Sequence, residues 1–327
     1  MASDTEMIDP KILDLPGVGP STARRLFDAG FATIESIAVA SIGELSAVAD
    51  IGEKTASRIV ESARGVLNFS YEWATQVDER RMNLDMITTG SNSLNEVFGG
   101  GIETGSLTEF FGEFRTGKTQ LAHQIAVNVQ LPPDQGGLNG ASLWIDTEGT
   151  FRTERIKAMA DKAKLDRATV LDSILVVDAY NSDHQMLLAE KGPADFRKLA
   201  QDDGLNKGLR VIVVDSLTSY FRAEYVGRGT LATRQQKLNK HVHTLLKHAK
   251  TLNIAVVVTN QVMARPDMMF GDPTAPVGGH VVAHAVQARV YLRKSKGDRR
   301  IARIVDSPHL AEAEAAFKIT AAGIEDI

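Results

Sequence analysis

The sequence contains no cysteine, which excludes disulfides, thiolate catalysis and cysteine-ligated zinc or iron–sulfur sites by arithmetic. Any metal must therefore sit on oxygens or on histidine. Long apolar runs are missing too: none approaches the ~18 residues that a membrane span needs, and the opening Met1-Ala2-Ser3-Asp4-Thr5-Glu6 is neither basic nor apolar. The expectation is a cytoplasmic protein without a membrane role. Nor is there an excess of either charge. The 37 basic and 41 acidic side chains leave a net −4, which is not the balance of a protein that simply coats a polyanion. Any nucleic-acid surface must be local.

What is present suits a globular chain of 327 residues, 43% of them hydrophobic, with one large core and a smaller domain. Charge is unevenly placed. Residues 1–65 carry 6 basic and 10 acidic side chains, which leaves 31 of each sign in the remainder. Within that neutral remainder, Arg289 to Arg303 gathers seven basic residues against one acidic.

The smaller region contains an internal echo. Gly19-x-x-Thr22-Ala23-x-Arg25-Leu26 recurs as Gly52-x-x-Thr55-Ala56-x-Arg58-Ile59, a register of 33 residues. The first copy follows Leu15-Pro16-Gly17-Val18, a glycine turn between helical stretches, so residues 1–65 read as two helix–hairpin–helix units. Such turns expose backbone N–H groups to phosphate whatever the base sequence. The acidic balance of the region points the other way, toward a helical unit that merely packs. Residues 66–85 show no clear period and read as a linker.

From Thr104 onward short apolar runs alternate with helical stretches, the pattern of a parallel sheet with crossover helices. Leu107–Phe111, Leu143–Asp146, Ile174–Val177, Val211–Asp215 and Ile254–Thr259 are the expected buried strands. Arg289–Lys294 and Arg300–Asp306 flank Ser295-Lys296-Gly297-Asp298 as a hairpin. Residues 86–327 are therefore expected to form one α/β domain.

Gly112-Glu113-Phe114-Arg115-Thr116-Gly117-Lys118-Thr119 fits G-x-x-x-x-G-K-[ST] between an expected strand and an expected helix, the context in which this phosphate-binding loop works. Its glycines let backbone N–H groups wrap phosphates, Lys118 sets a cation against the terminal oxygens, and Thr119 offers a hydroxyl to Mg²⁺. A second element, Leu209-Arg210-Val211-Ile212-Val213-Val214-Asp215, ends an apolar strand in a carboxylate that can hold the hydrated metal. A strand-end Asp alone could equally cap a helix. Glu148, in Trp144-Ile145-Asp146-Thr147-Glu148-Gly149-Thr150, can orient or deprotonate the attacking water. Asp146 competes for that role, although its place within the strand suits a structural one. The chemistry implied is ATP hydrolysis.

Four segments carry a family likeness: 112–120, including Gln120; Asp146-Thr147-Glu148-Gly149-Thr150-Phe151-Arg152; Gly227-Arg228-Gly229-Thr230-Leu231-Ala232-Thr233-Arg234-Gln235-Gln236; and Thr259-Asn260-Gln261-Val262. Together they resemble the archaeal RadA recombinases and their eukaryotic relatives over nearly the whole chain, to Gly323-Ile324-Glu325-Asp326. The resemblance implies a RecA-type ATPase core with a small all-α helix–hairpin–helix domain before it. Lys118 and Gln261 would join Glu148 in catalysis, with Gln261 sensing the terminal phosphate and relaying it to a DNA loop. Arg155 would stack on adenine. ATP would lie between subunits, so that His284 and Asp306-Ser307-Pro308 reach it from a neighbour, and whether a monovalent cation joins Mg²⁺ near Asp306 stays open.

The same likeness implies that DNA is gripped by two loops, one at Arg222–Arg234 with Arg222, Arg228 and Arg234, the other at about Met263 to Gly279 with Pro266 as a wedge between bases. Glycine-flanked Arg228 also suits close approach to a phosphate backbone on chemical grounds, and a solvated loop is the ordinary alternative. Tyr71-Glu72-Trp73-Ala74 stands where the family carries Phe-x-x-Ala, an anchor that inserts into the next subunit. Tyr71 replaces the phenylalanine, so its phenol needs a polar partner in the receiving pocket. Thr153 and Ala311 stand where the family has proline. The implied protein is a nucleoid-associated, DNA-dependent ATPase that forms filaments, or rings, on single-stranded DNA, pairs it with a duplex, and works with recombination mediators. The competing readings are an accessory protein that binds DNA and ATP without strand exchange and a RecA-core helicase.

Overall fold

The computed structural model describes residues 10–31, 33–67, 72–264, 274–278, 282 and 285–327. Two compact units are present, the first running to Asn83 and including 193–195, the second holding the rest of the chain from Leu84.

The first unit is helical: α1 (Pro10–Leu13), α2 (Pro20–Asp28), α3 (Ile34–Ala38), α4 (Ile42–Ala49), α5 (Glu53–Val66) and α6 (Ala74–Met82). Its sequence echo is an echo of packing. Ala23 and Ala56 occupy equivalent turns of α2 and α5 and are fully buried, as are Leu26 and Ile59. Gly17 takes the turn before α2 at φ 91, a conformation that an L side chain resists. Thr33 and Ser41 start α3 and α4 as capping boxes. Helix α6 falls inside the expected linker. It buries none of its side chains, so it had no apolar stripe to betray it.

The second unit comprises β1 (Met86–Ile87), α7 (Asn92–Val97), β2 (Ile102–Glu103), β3 (Leu107–Gly112), α8 (Lys118–Asn128), β4 (Ala141–Asp146), α9 (Thr153–Lys162), α10 (Arg167–Asp172), β5 (Ile174–Asp178), α11 (Ser182–Asp202), β6 (Leu209–Asp215), α12 (Ser219–Glu224), α13 (Leu231–Leu252), β7 (Ala255–Asn260), β8 (Val262–Ala264), β9 (Thr274–Pro276), β10 (Ala288–Lys294), β11 (Arg299–Asp306), β12 (Glu314–Thr320) and β13 (Gly323–Asp326). Among the described residues nine strands form one sheet in the order β13-β12-β11-β10-β3-β7-β6-β4-β5. From β10 to β5 every pairing is parallel, and β10 to β13 are antiparallel.

All six residues of β3, β4 and β7 are buried because helices cover both faces of the sheet. Alternation along one strand feeds two cores: Val211 and Val213 pack with α8 and α9, while Ile212 and Val214 pack with α11 and α13. The expected strands and the hairpin are all present. Strands β1, β2, β8 and β9, at two or three residues each, are too short to leave a period. Among the described residues no helix is long and apolar enough to cross a membrane.

Candidate functional site

The parallel strands β3, β4, β6 and β7 deliver their C-terminal ends to one cleft of about 700 Å³, the place where open α/β sheets receive ligands. The loop from β3 to α8 forms its floor. Gly112 stands at φ 156, and a Cβ there would lie 2.2 Å from the Leu292 carbonyl oxygen. Gly117 stands at φ 106, where a Cβ would lie 2.6 Å from Ile319 Cδ1. The two glycines of the motif are thus required by close approach and by left-handed backbone together. Thr116 Oγ1 donates to the Glu113 carbonyl at 2.9 Å and closes the loop on itself.

Lys118 Nζ donates to the carbonyls of Gly112 and Glu113, each at 2.9 Å. Burial pulls its pKa below the ordinary lysine value, against the opposing pull of Asp215 and Glu148. An ammonium so desolvated and held by two neutral acceptors is a natural partner for a phosphate. Thr119 and Gln120 line the same cleft, as do Glu113, Phe114 and Arg115. Phe114 is 83% exposed and Arg115 takes φ 64 at the crest of the loop.

Asp215 ends β6 and is 2% exposed. Its Oδ2 accepts from Thr150 Oγ1 at 2.9 Å and its Oδ1 from the Thr259 hydroxyl. A cis peptide joins it to Ser216. Thr147 locks β4 to β6, its N–H donating to the Asp215 carbonyl at 2.8 Å and its hydroxyl accepting from Ser216 N at 2.7 Å.

Asp146 spends both carboxylate oxygens on backbone, accepting from the N–H groups of Glu148 (3.0 Å), Gly149 (2.8 Å) and Phe151 (2.9 Å). It shapes the loop and leaves Glu148 as the carboxylate presented to the cleft. Gln261 Nε2 donates to Glu148 Oε1 at 2.8 Å, and Gln261 Oε1 accepts from Arg222 Nη1 at 2.9 Å. Among the described residues no group of three or more histidines and carboxylates gathers as a metal cage. The donor set fits Mg²⁺ all the same, because that ion keeps several waters and takes one or two protein oxygens with substrate phosphates. Thr119 and Asp215 line the cleft and are the residues that could supply those oxygens.

Arg222, expected among the DNA contacts, lines the cleft through its bond to Gln261. Arg155, expected over adenine, donates to Gln120 Oε1 at 2.7 Å and to the Ala321 and Thr320 carbonyls at 2.6 and 3.0 Å, tying α9 to α8 and to the β12–β13 turn; these bonds lie in the guanidinium plane and leave its face open. Asp306 ends β11, Ser307 and Pro308 follow it, and none of the three lines this cleft; Ser307 Oγ accepts from Leu310 N at 3.2 Å in a local turn. Arg228 lies in a short 3-10 turn, Arg228–Thr230, and Arg234 in the first turns of α13. Ala74 is exposed at the start of α6, beside a Trp73 that is 81% exposed. Thr153 begins α9 at the position proline would favour, so the helix starts without it. Tyr71, Pro266 and His284 lie outside the described residues.

Sequence reasoning missed His123. This residue of α8 is fully buried, its Nδ1 2.7 Å from the Thr119 carbonyl while Nε2 accepts from Arg152 N at 3.2 Å. Those partners require the proton on Nδ1. Burial pushes its pKa down, which keeps the ring neutral. Rings of Trp144 and Phe151 flank it at 4.6 and 5.4 Å. His123 thereby joins the phosphate-loop helix to the loop that carries Glu148. A polar ring inside the stretch Leu121-Ala122-His123-Gln124-Ile125 was the signal available.

With this geometry in hand, the comparisons agree with one another. The family model described as Rad51 matches residues 80–327, and the model described as a SAM-like helix-hairpin-helix tandem matches 9–64. A curated relative named "DNA repair and recombination protein RadA" from Metallosphaera sedula is 51% identical over 315 residues, covering 96% of this chain and 95% of its own length. One of the same name from Aeropyrum pernix is 52% identical over 315 residues, covering 96% of each. A phosphate loop opposed by a strand-end carboxylate, a loop glutamate and a glutamine just past β7, set in a chain with such relatives, places this protein in the RadA/Rad51 recombinase family.

Proposed function

We propose that the chain is an ATP-dependent recombinase that polymerises on single-stranded DNA and exchanges it with a homologous duplex. The observation that carries this reading is the side chain of Gln261. It spans from Glu148 in the nucleotide cleft to Arg222 at the start of one expected DNA loop, while its own backbone opens the other.

Lys118 and the backbone of 112–117 would bind the phosphates of ATP, and Thr119 with Asp215 would hold Mg²⁺, which neutralises charge on the phosphoryl oxygens. Glu148 would position the attacking water and accept its proton. The 2.8 Å bond from Gln261 occupies one oxygen of that carboxylate, so arrival of a terminal phosphate near Gln261 changes what Glu148 and Arg222 can bind. Arg228, in the 3-10 turn after α12, and Arg234, at the start of α13, would supply cations for sequence-blind capture of a backbone. The exposed Trp73 and Ala74 suit docking of the linker on a second copy, with Asp306-Ser307-Pro308 of that copy turned to the nucleotide.

The test is strand exchange with purified protein, Mg²⁺ and ATP, a circular single strand and its homologous linear duplex. Joint molecules that require ATP are expected. Hydrolysis and DNA binding without joint molecules would transfer the reading to an accessory protein, and ATP-driven unwinding of a forked duplex to a helicase.

A further inference from the structure

Two buried polar side chains of the second unit that do not line the cleft, Glu109 and Thr218, meet at Asn260, the last residue of β7. It is fully buried, and its carboxamide fills both donor and both acceptor positions. Nδ2 donates to Glu109 Oε1 and to the Val277 carbonyl, each at 2.6 Å. Oδ1 accepts from Thr218 Oγ1 at 2.6 Å and from the Gln261 N–H at 2.8 Å.

Each of the four partners roots a different segment. Glu109 lies on β3 shortly before the phosphate loop opens at Gly112, its charge met by Arg289 Nε of β10 at 2.6 Å. Thr218 is the residue from which α12 starts, and α12 carries Arg222. Gln261 spans the cleft. Val277 ends the excursion that begins at Val262, and its N–H donates to the Gln261 carbonyl at 3.0 Å, so the base of that excursion is closed twice.

A surface amide could trade any of these partners for water. A fully buried one cannot, so a shift at one root must be matched at the others or leave a polar group orphaned in a dry interior. We propose that Asn260 is a positioning residue that makes the nucleotide cleft and both loop roots move as one, so that nucleotide occupancy is felt at 222–234 and at the paired strands 262–264 and 274–276 together. The proposal rests on the reading under Proposed function and adds to it the element that transmits the signal.

The measurement is the affinity of the full chain for a fluorescent single-stranded oligonucleotide, with and without a non-hydrolysable ATP analogue and Mg²⁺. It is read beside the affinity for a fluorescent ATP analogue and the melting temperature. In Asn260→Ala, nucleotide affinity should stay within about twofold of the parent while the tightening of DNA binding by nucleotide falls about tenfold or more. Thr218→Val has nearly the same shape as the parent residue and removes a single bond. It should melt with the parent yet lose part of the tightening, and it decides the matter if Asn260→Ala does not fold. Tightening that survives intact in folded Asn260→Ala, or in Thr218→Val when that is the variant that folds, overturns the proposal. A parent protein whose DNA binding ignores nucleotide overturns the recombinase reading itself.

Discussion

The two units solve burial in opposite ways. Among the described residues of the first unit no polar or charged side chain is fully buried, and its core is Ile, Leu, Val, Ala and Phe. The second unit buries Glu109, Asp146, Asp215, Arg289, His123, His241 and Asn260 as well as its apolar cores. A buried polar group costs free energy unless every partner is supplied. The first unit avoids that cost, and its interior is held by apolar packing. The second accepts it, and near the strand ends the same partners fix Asp215 and Gln261 at the cleft. Stability and chemistry are therefore nearly separable in the first unit and entangled in the second.

The sharpest test of that contrast is Lys118→Ala, which removes a half-buried cation from the cleft but no core atom. ATP turnover should fall by about a hundredfold or more, with unfolding midpoints unchanged by differential scanning calorimetry. A large drop in stability would mean that the lysine holds the loop together rather than the substrate. Next in size is Leu26→Ala in the first unit, a fully buried leucine whose truncation should cost about 2–5 kcal/mol. Hydrogen exchange should show protection lost across 10–66 and kept in β3, β4, β6 and β7. Equal loss in both units would show that they fold as one.

A pH series reaches the polar interior of the second unit. His241 on α13 is wholly buried against Phe221 and Gln185, and burial lowers its pKa from 6.5 to about 4. The unfolded chain therefore binds that proton more readily, so stability is complete above about 6.5 and declines as pH falls through this window. The loss should approach about 3 kcal/mol by pH 4, read as the difference in urea midpoints between the parent and His241→Gln. Parallel curves for the two proteins would remove the histidine from the account. The smallest effect belongs to Asp28→Ala, which breaks a surface pair with Arg24 at 3.1 Å. It should change stability by no more than about 0.5 kcal/mol, and a larger change would mean that surface charge contributes where apolar packing is credited.

Legibility followed the same division. The repeat of the first unit was readable because its matching positions, Ala23 with Ala56 and Leu26 with Ile59, do one job of packing at a fixed spacing. The apolar strands of the second unit were readable because helices cover both of their faces, so burial wrote itself as continuous runs. Helix α6 was not, since a helix with no buried face obeys no period. The site divided likewise. Gly112 through Thr119 is a contiguous device whose residues are dictated locally, whereas Asn260 and His123 act through partners remote in sequence, Glu109 and Thr218 for the one and Arg152 for the other.

The sequence by itself determined the phosphate loop, the carboxylates at two strand ends and the strands that carry them, because each depends on backbone conformation and burial within a few neighbouring residues. Only the tertiary structure decided that Gln261 meets Glu148 across a separation of 113 residues, that Arg222 turns to the cleft, and that Arg155 ties off the C-terminal hairpin. Those meetings are set by the strand order β3-β7-β6-β4, which no local periodicity encodes: adjacency in a sheet comes from how the crossovers pack, and that is a property of the whole fold.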